Sequence, residues 1–174
     1  MLCQHRFKNL SLGVSRMEEN DEHFMAEALD LARRGIERGD GGPFGAVIVS
    51  EGRIIGRGWN QVVNLNDPTA HAEMQAIRQA CQSVANYHIP GSVLYATCEP
   101  CPMCLSAAYW AHIERLVYAA EAEDAAAIGF SDRKIKLELD KPLSERSIIV
   151  KQLYRKESLA LFEQWEMSGK KKEY

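Results

Sequence analysis

Residues 98 to 104 read Cys-Glu-Pro-Cys-Pro-Met-Cys, three cysteines at three-residue spacing with Pro102 directly after the second. A proline is favoured at the first helical position, because the N–H it lacks is one the first turn leaves unpaired anyway. Cys101 is therefore a candidate N-cap and Cys104 a first-turn residue of the same helix. Both sulfurs then lie at one helix end, where the macrodipole and free amides favour thiolates. The stretch allows a disulfide or redox dithiol, a closed structural metal knuckle, or an open metal site that does chemistry.

The five cysteines are an odd number, and the N-terminal MLCQHRFKNLSLGVSRM lacks the roughly 7-to-15-residue apolar core of a secretory signal. A cytoplasmic protein with reduced thiols is expected. Residues 1–20 read as a disordered extension or leader; Arg6, Lys8 and Arg16, with no acid before Glu18, also weakly resemble an organelle transit peptide, and Met17 is a candidate second start. Residues 21–174 read as one domain, which suits a chain of 174 residues. A formal net charge of −3 argues against a surface built to neutralise a nucleic-acid backbone, so a small-molecule partner is expected. Nothing approaches the roughly 18-residue apolar run of a membrane span.

Apolar residues at Phe24, Met25, Ala28, Leu29, Ala32 and Ile36 form a helical stripe from Asp21 to about Arg38. AVIVS and GRIIGRG read as a hairpin turning at Glu51-Gly52. Asp67 and Pro68 are the candidate N-cap and first residue of a helix running to about Ala85. SVLYAT and ERLVYAA read as strands on either side of the helix that opens in the cysteine cluster. AEDAAAIGF is a short helix, SIIVKQLY a candidate fifth strand, and the chain is helical again from about Glu157 to Trp165. This alternation predicts an α/β fold, with helices on both faces of one sheet.

A redox dithiol leaves His71-Ala72-Glu73 without a role; a metal site uses both motifs. His71 with Cys101 and Cys104 suits zinc, the two thiolates cancelling its charge, and leaves a fourth position for water. Cys98 as a further ligand would close the site, and spacing alone does not exclude this. Two features oppose it. Cys98 ends a strand, with Glu99-Pro100 before the helix start, so it need not face the helix mouth. Glu73 has no work in a structural knuckle, but beside a metal-activated water it can take the proton. The combination H-x-E with P-C-x-x-C, here about 30 residues apart, is the zinc deaminase signature, with the Glu as general acid/base.

With these motifs in hand, the chain resembles the cytidine deaminase superfamily and, within it, the small bacterial guanine deaminases. The similarity runs through GGPFGAVIV, NDPTAHAE, CEPCPMC, YWA, AAEAEDAAAIGF, DKPLSER and the terminal KKEY, from Asp21 to Tyr174. The resemblance implies a three-layer αβα sandwich around one mixed five-stranded sheet, a homodimer, and hydrolysis of guanine to xanthine and ammonia. It implies one zinc per subunit on His71, Cys101 and Cys104, with Glu73 shuttling the proton. Phe44 and Trp110 would wall or stack on the base, Asn60 and the Ala72 backbone would read its polar edge, and Asp124 would assist proton transfer near the leaving amine. The C-terminal segment would be exchanged between subunits, with Tyr174 closing the partner's pocket.

Each role has a plainer rival. Phe44 and Trp110 are of types that more often fill a core, Asp124 is suited to capping a helix, and Asn60 to a turn. His5, His23, His88 and His112 read as surface or core histidines, and Cys3 and Cys81 as ordinary thiols. Other substrates for the same zinc centre are guanosine, cytosine and an aminotriazine. A tRNA adenosine deaminase shares DPTAHAE and EPCPMC but needs a basic surface to hold its polyanionic substrate. A zinc-stabilised scaffold without turnover would give Glu73 nothing to do.

Overall fold

The stripe that begins at Asp21 belongs to a longer helix, α1 (Gln4–Arg38), in a computed structural model that describes residues 4–172. Residues 4 to 20 contain no proline and a single glycine, Gly13, so no strong breaker stops the helix at Asp21. It ends in a Schellman turn. Gly39 takes a φ of 70°, and the N–H groups of Gly39 and Asp40 return to the carbonyls of Ile36 and Gly35 at 3.0 and 3.1 Å.

Strands β1 (Gly45–Ser50) and β2 (Arg53–Trp59) form the expected hairpin. Glu51 and Gly52 both have positive φ, 49° and 72°, the I′ geometry whose twist matches the flanking strands. Ile48 opposes Gly56 while Val49 opposes Ile54, which leaves Ile55 as the extra residue of a bulge. There follow α2 (Val62–Leu65), α3 (Ala72–Val84), β3 (Val93–Cys98), α4 (Pro102–Trp110), β4 (Arg115–Ala120) and α5 (Ala122–Ala127). The sheet order is β2-β1-β3-β4, with β3 and β4 parallel and the other pairs antiparallel.

The central strands are buried on both faces, which is why β1 reads as an unbroken apolar run. Alternate residues serve opposite layers. Val47, Val49 and Tyr95 pack with Phe24 and Leu31 of α1; Ala46, Ile48 and Leu94 pack with Ala72, Ala76, Ile77 and Ala80 of α3 and with Ala108 of α4. Fully burying a side chain such as Ile48 or Leu94 contributes about 1.5–3 kcal/mol. Helix α3 can lie this close only because β2 presents glycines to it. A Cβ on Gly58 would stand 2.1 Å from the Ala72 carbonyl oxygen, and one on Gly56 2.2 Å from that of Ala76.

Two expectations are corrected. Asp67 does not cap α3: its Oδ1 accepts hydrogen bonds from the Thr69 N–H and hydroxyl at 2.8 and 2.7 Å, a local turn that Pro68 equally suits, and the N-cap is His71. The sheet has four strands among the described residues rather than five. Residues 147–154 form no ladder, and a strand exists only through a neighbour that completes its hydrogen bonds.

A second unit, from Asp132 onward, contains α6 (Arg133–Leu139), a 3-10 turn (Leu143–Glu145) and α7 (Arg155–Met167). Its local order is polar: Ser147 N–H and Lys141 Nζ both donate to the Glu138 carboxylate, and Arg146 donates to the carbonyls of Leu139 and Lys141. Its apolar side chains, including Ile148, Ile149, Leu153, Phe162 and Trp165, are exposed, Ile149 to 98%.

Candidate active site

Two helix starts carry the metal-ligating residues. His71 is the N-cap of α3 and Cys101 that of α4, both with extended backbone, and neither uses its side chain to cap. Their carbonyls already accept the first helical hydrogen bonds, from Gln75 and Leu105 at 3.0 and 2.9 Å. The side chains are thus free to point at a common centre. His71 Nδ1 lies 3.6 Å from Cys101 Sγ and 3.5 Å from Cys104 Sγ. All three ligand atoms fall within 4.8 Å of one another, the one such group among the described residues.

These separations fit zinc. Tetrahedral bonds of about 2.3 Å to sulfur and 2.0–2.1 Å to nitrogen place each sulfur about 3.6 Å from the nitrogen. The protonation pattern fits as well. A hydrogen bond from the Cys104 thiol, strengthened by His71 and opposed by burial, holds Cys101 at about 4, a thiolate. Cys104 is raised because its proton is committed to Cys101 and because it is buried. His71 is raised by its hydrogen bond to Cys101, against the effect of burial. A cation held here would favour the thiolate form of both sulfurs.

Cys98 stands outside this group. It ends β3, and its thiol donates to the Glu121 carbonyl at 3.5 Å while the following residue, Glu99, donates its N–H to Ala120 at 2.8 Å. Three ligands rather than four is the arrangement that leaves a position open.

Glu73 lies in the first turn of α3 and is 7% exposed. Burial raises its pKa above the ordinary carboxylate value. Ala72 is buried, and its N–H belongs to the first turn that the helix leaves unpaired. Asn60, 5% exposed, follows β2. Its Oδ1 accepts from Gly42 and Val62 N–H at 3.2 and 3.3 Å, and its own N–H donates to Phe44 at 2.9 Å. Backbone N–H groups only donate, so the carbonyl side of the amide is settled. Its NH2 makes no hydrogen bond among the described residues and can donate to a ligand acceptor. Phe44, half-buried, stands edge-on to Phe130 at 5.1 Å.

The structure treats the remaining expectations differently. Trp110 is the last residue of α4, 65% exposed, and about 9 Å along the helix axis from Cys104 at about 1.5 Å per residue. Asp124 is exposed and closes a capping box at the start of α5, its Oδ2 accepting the Glu121 N–H at 2.9 Å. Tyr174 lies outside the described residues. One buried carboxylate near Asn60 had no signal in the sequence beyond a glycine-rich turn: Asp40, whose Oδ2 accepts the Trp59 indole N–H at 2.7 Å.

The sequence pattern of the cytidine and deoxycytidylate deaminase zinc-binding region matches residues 18–120. Guanine deaminase of Bacillus subtilis (strain 168) is 50% identical over 155 residues, 89% of this chain and 99% of that protein. The X-ray structure of guanine deaminase from Bacillus subtilis superposes with a TM-score of 0.85 over 88% of this chain and 98% of its own, at 50% identity. A tRNA-specific adenosine deaminase of Agrobacterium fabrum (strain C58) is 47% identical over 106 residues, 61% of this chain and 69% of that protein.

Proposed function

We propose that this chain, which belongs to the cytidine and deoxycytidylate deaminase zinc-binding family, converts guanine to xanthine and ammonia by hydrolysis. One observation carries the substrate. Likeness to the Bacillus subtilis guanine deaminase extends over 155 residues and nearly all of that protein, well beyond the 18–120 zinc-binding region, whereas likeness to the Agrobacterium tRNA deaminase covers 106. The C-terminal unit is thus part of what this chain has in common with guanine deaminase.

His71, Cys101 and Cys104 would hold the zinc. When bound, zinc supplies the Lewis acidity that makes water a nucleophile at neutral pH. Glu73 takes the proton from the water that attacks C2 and gives it to the adjacent ring nitrogen. It then takes the proton of the new C2 hydroxyl and passes it to the departing 2-amino group as the tetrahedral carbon collapses to the carbonyl of xanthine. A carboxyl raised by burial is suited to both directions of transfer. Asn60 Nδ2 and the Ala72 N–H present donors to the polar edge of the base, and Phe44 offers it an apolar wall. Trp110 is a further candidate wall. Asp124 caps α5 through Oδ2 and assists proton transfer near the leaving amine through its other carboxylate oxygen, the two roles being compatible.

The active form is a homodimer with exchanged C-terminal segments, in the cytoplasm. Residues 1–20 are an appendage to the catalytic domain. The exchange is supported by the exposed apolar residues of the second unit and by the open outer edge of β4. In this arrangement residues 147–154 find a strand partner on another copy, and Tyr174 closes that copy's pocket.

The test is ammonia release by the zinc-replete protein from guanine, guanosine, cytosine, adenine and an aminotriazine, with a tRNA substrate alongside. Guanine dominates if the proposal holds. A preference for guanosine would keep the zinc chemistry but require a pocket open to ribose, and turnover of tRNA alone would overturn the substrate.

A further inference from the structure

We propose that Asp40 is a positioning residue for recognition of the base, its carboxylate acting through Trp59 to fix the direction in which Asn60 donates. The inference rests on the proposed role of Asn60 as a base-reading donor. Asp40 is buried, 8% exposed, in a glycine-rich turn, a placement that is unfavourable for a carboxylate unless its hydrogen bonds are met. It joins three elements at one point. Its N–H is the last donor of the Schellman turn that ends α1. Its carboxylate accepts the indole N–H of Trp59, the final residue of β2. Its carbonyl accepts the N–H groups of Val63 and Asn64, at 3.1 and 3.0 Å, and so anchors the start of α2.

Asn60 lies inside this frame. Trp59 precedes it, Val62 beside the anchored Val63 donates to its Oδ1, and Gly42, two residues after Asp40, donates to the same oxygen. The frame is tight: a Cβ on Gly41 would stand 2.1 Å from Asn60 Oδ1. Trp59 is confined in turn, since a Cβ on Gly35 of α1 would stand 2.8 Å from its ring. With its oxygen held by two donors, the amide can aim its NH2 in only one direction. That direction is set by residues Asp40 ties together.

The experiment compares Asp40→Ala, Asp40→Asn and Trp59→Phe with the wild type and with Asn60→Ala. Asp40→Asn keeps an acceptor for the indole and retains the wild-type KM for guanine. Asp40→Ala and Trp59→Phe raise KM about tenfold, the loss of one well-placed hydrogen bond, with zinc content unchanged. In the Asn60→Ala background the Asp40→Ala effect on kcat/KM largely disappears, because both act on one contact. A full Asp40→Ala effect in that background, or an unchanged KM in both variants, overturns the proposal. Proton–nitrogen correlation spectra give a second reading that needs no substrate. The side-chain amide signals of Asn60, identified by their loss in Asn60→Ala, move in Asp40→Ala and Trp59→Phe but stay in place in Asp40→Asn. If they stay in place in all three variants, Asp40 does not position Asn60. If the wild type leaves guanine untouched while these signals move as stated, the substrate reading fails and the positioning role stands.

Discussion

Substituting Gly58 by alanine should disable the site from the opposite side of a packed helix. Gly58 lies on β2 and has no side chain of its own, but its added Cβ would stand 2.1 Å from the Ala72 carbonyl oxygen and 2.6 Å from the Ala76 nitrogen. Both are backbone atoms of α3, so no side-chain rotation relieves the contact. To reach the 3.4 Å edge of ordinary contact, the helix start must withdraw by about 1.3 Å, and displacements of about 1 Å in a catalytic array cost on the order of 100-fold in rate. Ala72 lies between His71 and Glu73, so the metal ligand and the proton shuttle move together. Overpacking of this kind also costs about 1–3 kcal/mol of stability. The control is Gly52→Ala, at a φ of 72° with no atom within 4 Å of the added Cβ. It should cost about 1 kcal/mol or more through backbone strain and leave kcat/KM intact. Guanine turnover, bound zinc and Tm are measured on both. Gly58→Ala with full zinc and kcat/KM within threefold of wild type would refute the claim that α3 is held in register by this contact.

Glu73→Gln should keep one zinc per chain and lose at least about 100-fold in kcat, because the amide cannot carry the proton; retention of turnover in the metal-loaded variant would remove Glu73 from the mechanism. Cys98→Ala should bind zinc and turn over guanine like the wild type, as its thiol is engaged by the Glu121 carbonyl, whereas loss of metal on this change would identify a closed four-ligand site. Removing residues 169–174 should lower turnover by about tenfold or more if the tail completes a partner's pocket, with zinc content unchanged; undiminished turnover would take Tyr174 out of the site. Asp21 is held below its ordinary value of 3.8 chiefly by its hydrogen bond from Arg115, with Tyr95 adding a second. A depressed carboxyl contributes stability that is complete above the unfolded value and is lost as pH falls through the folded one. Arg115→Met should therefore lower Tm at neutral pH and flatten its decline below about pH 4, and equal acid slopes in the two proteins would exclude the pair as the cause.

The ligands were legible because their chemistry is local. Cys-Pro-Met-Cys carries its own helix start, and His-Ala-Glu sets an imidazole and a carboxylate one turn or less apart whatever surrounds them. The hairpin and the buried strands were legible for the same reason, their turn residues and apolar runs being properties of a few consecutive positions. Wherever two local structures compete for the same residues, the sequence left the choice open. Asp67-Pro68 suits a turn as well as a helix start; Asp67 bonds Thr69 in a turn, and His71 is the N-cap. Asp124 suits a cap as well as a proton relay, and the fold supplies the partner of the cap, the Glu121 N–H, to one of its two carboxylate oxygens. A strand at 147–154 depends on a neighbour that its own residues do not supply. The departure of Cys98 from the cluster was decided by a carbonyl 23 positions away, and the direction of the Asn60 amide by the N–H groups of Gly42, in the turn after Asp40, and of Val62, at the start of α2. Residue type and spacing name the groups that can react; which way each of them faces is set by hydrogen bonds and close contacts between segments that are distant along the chain.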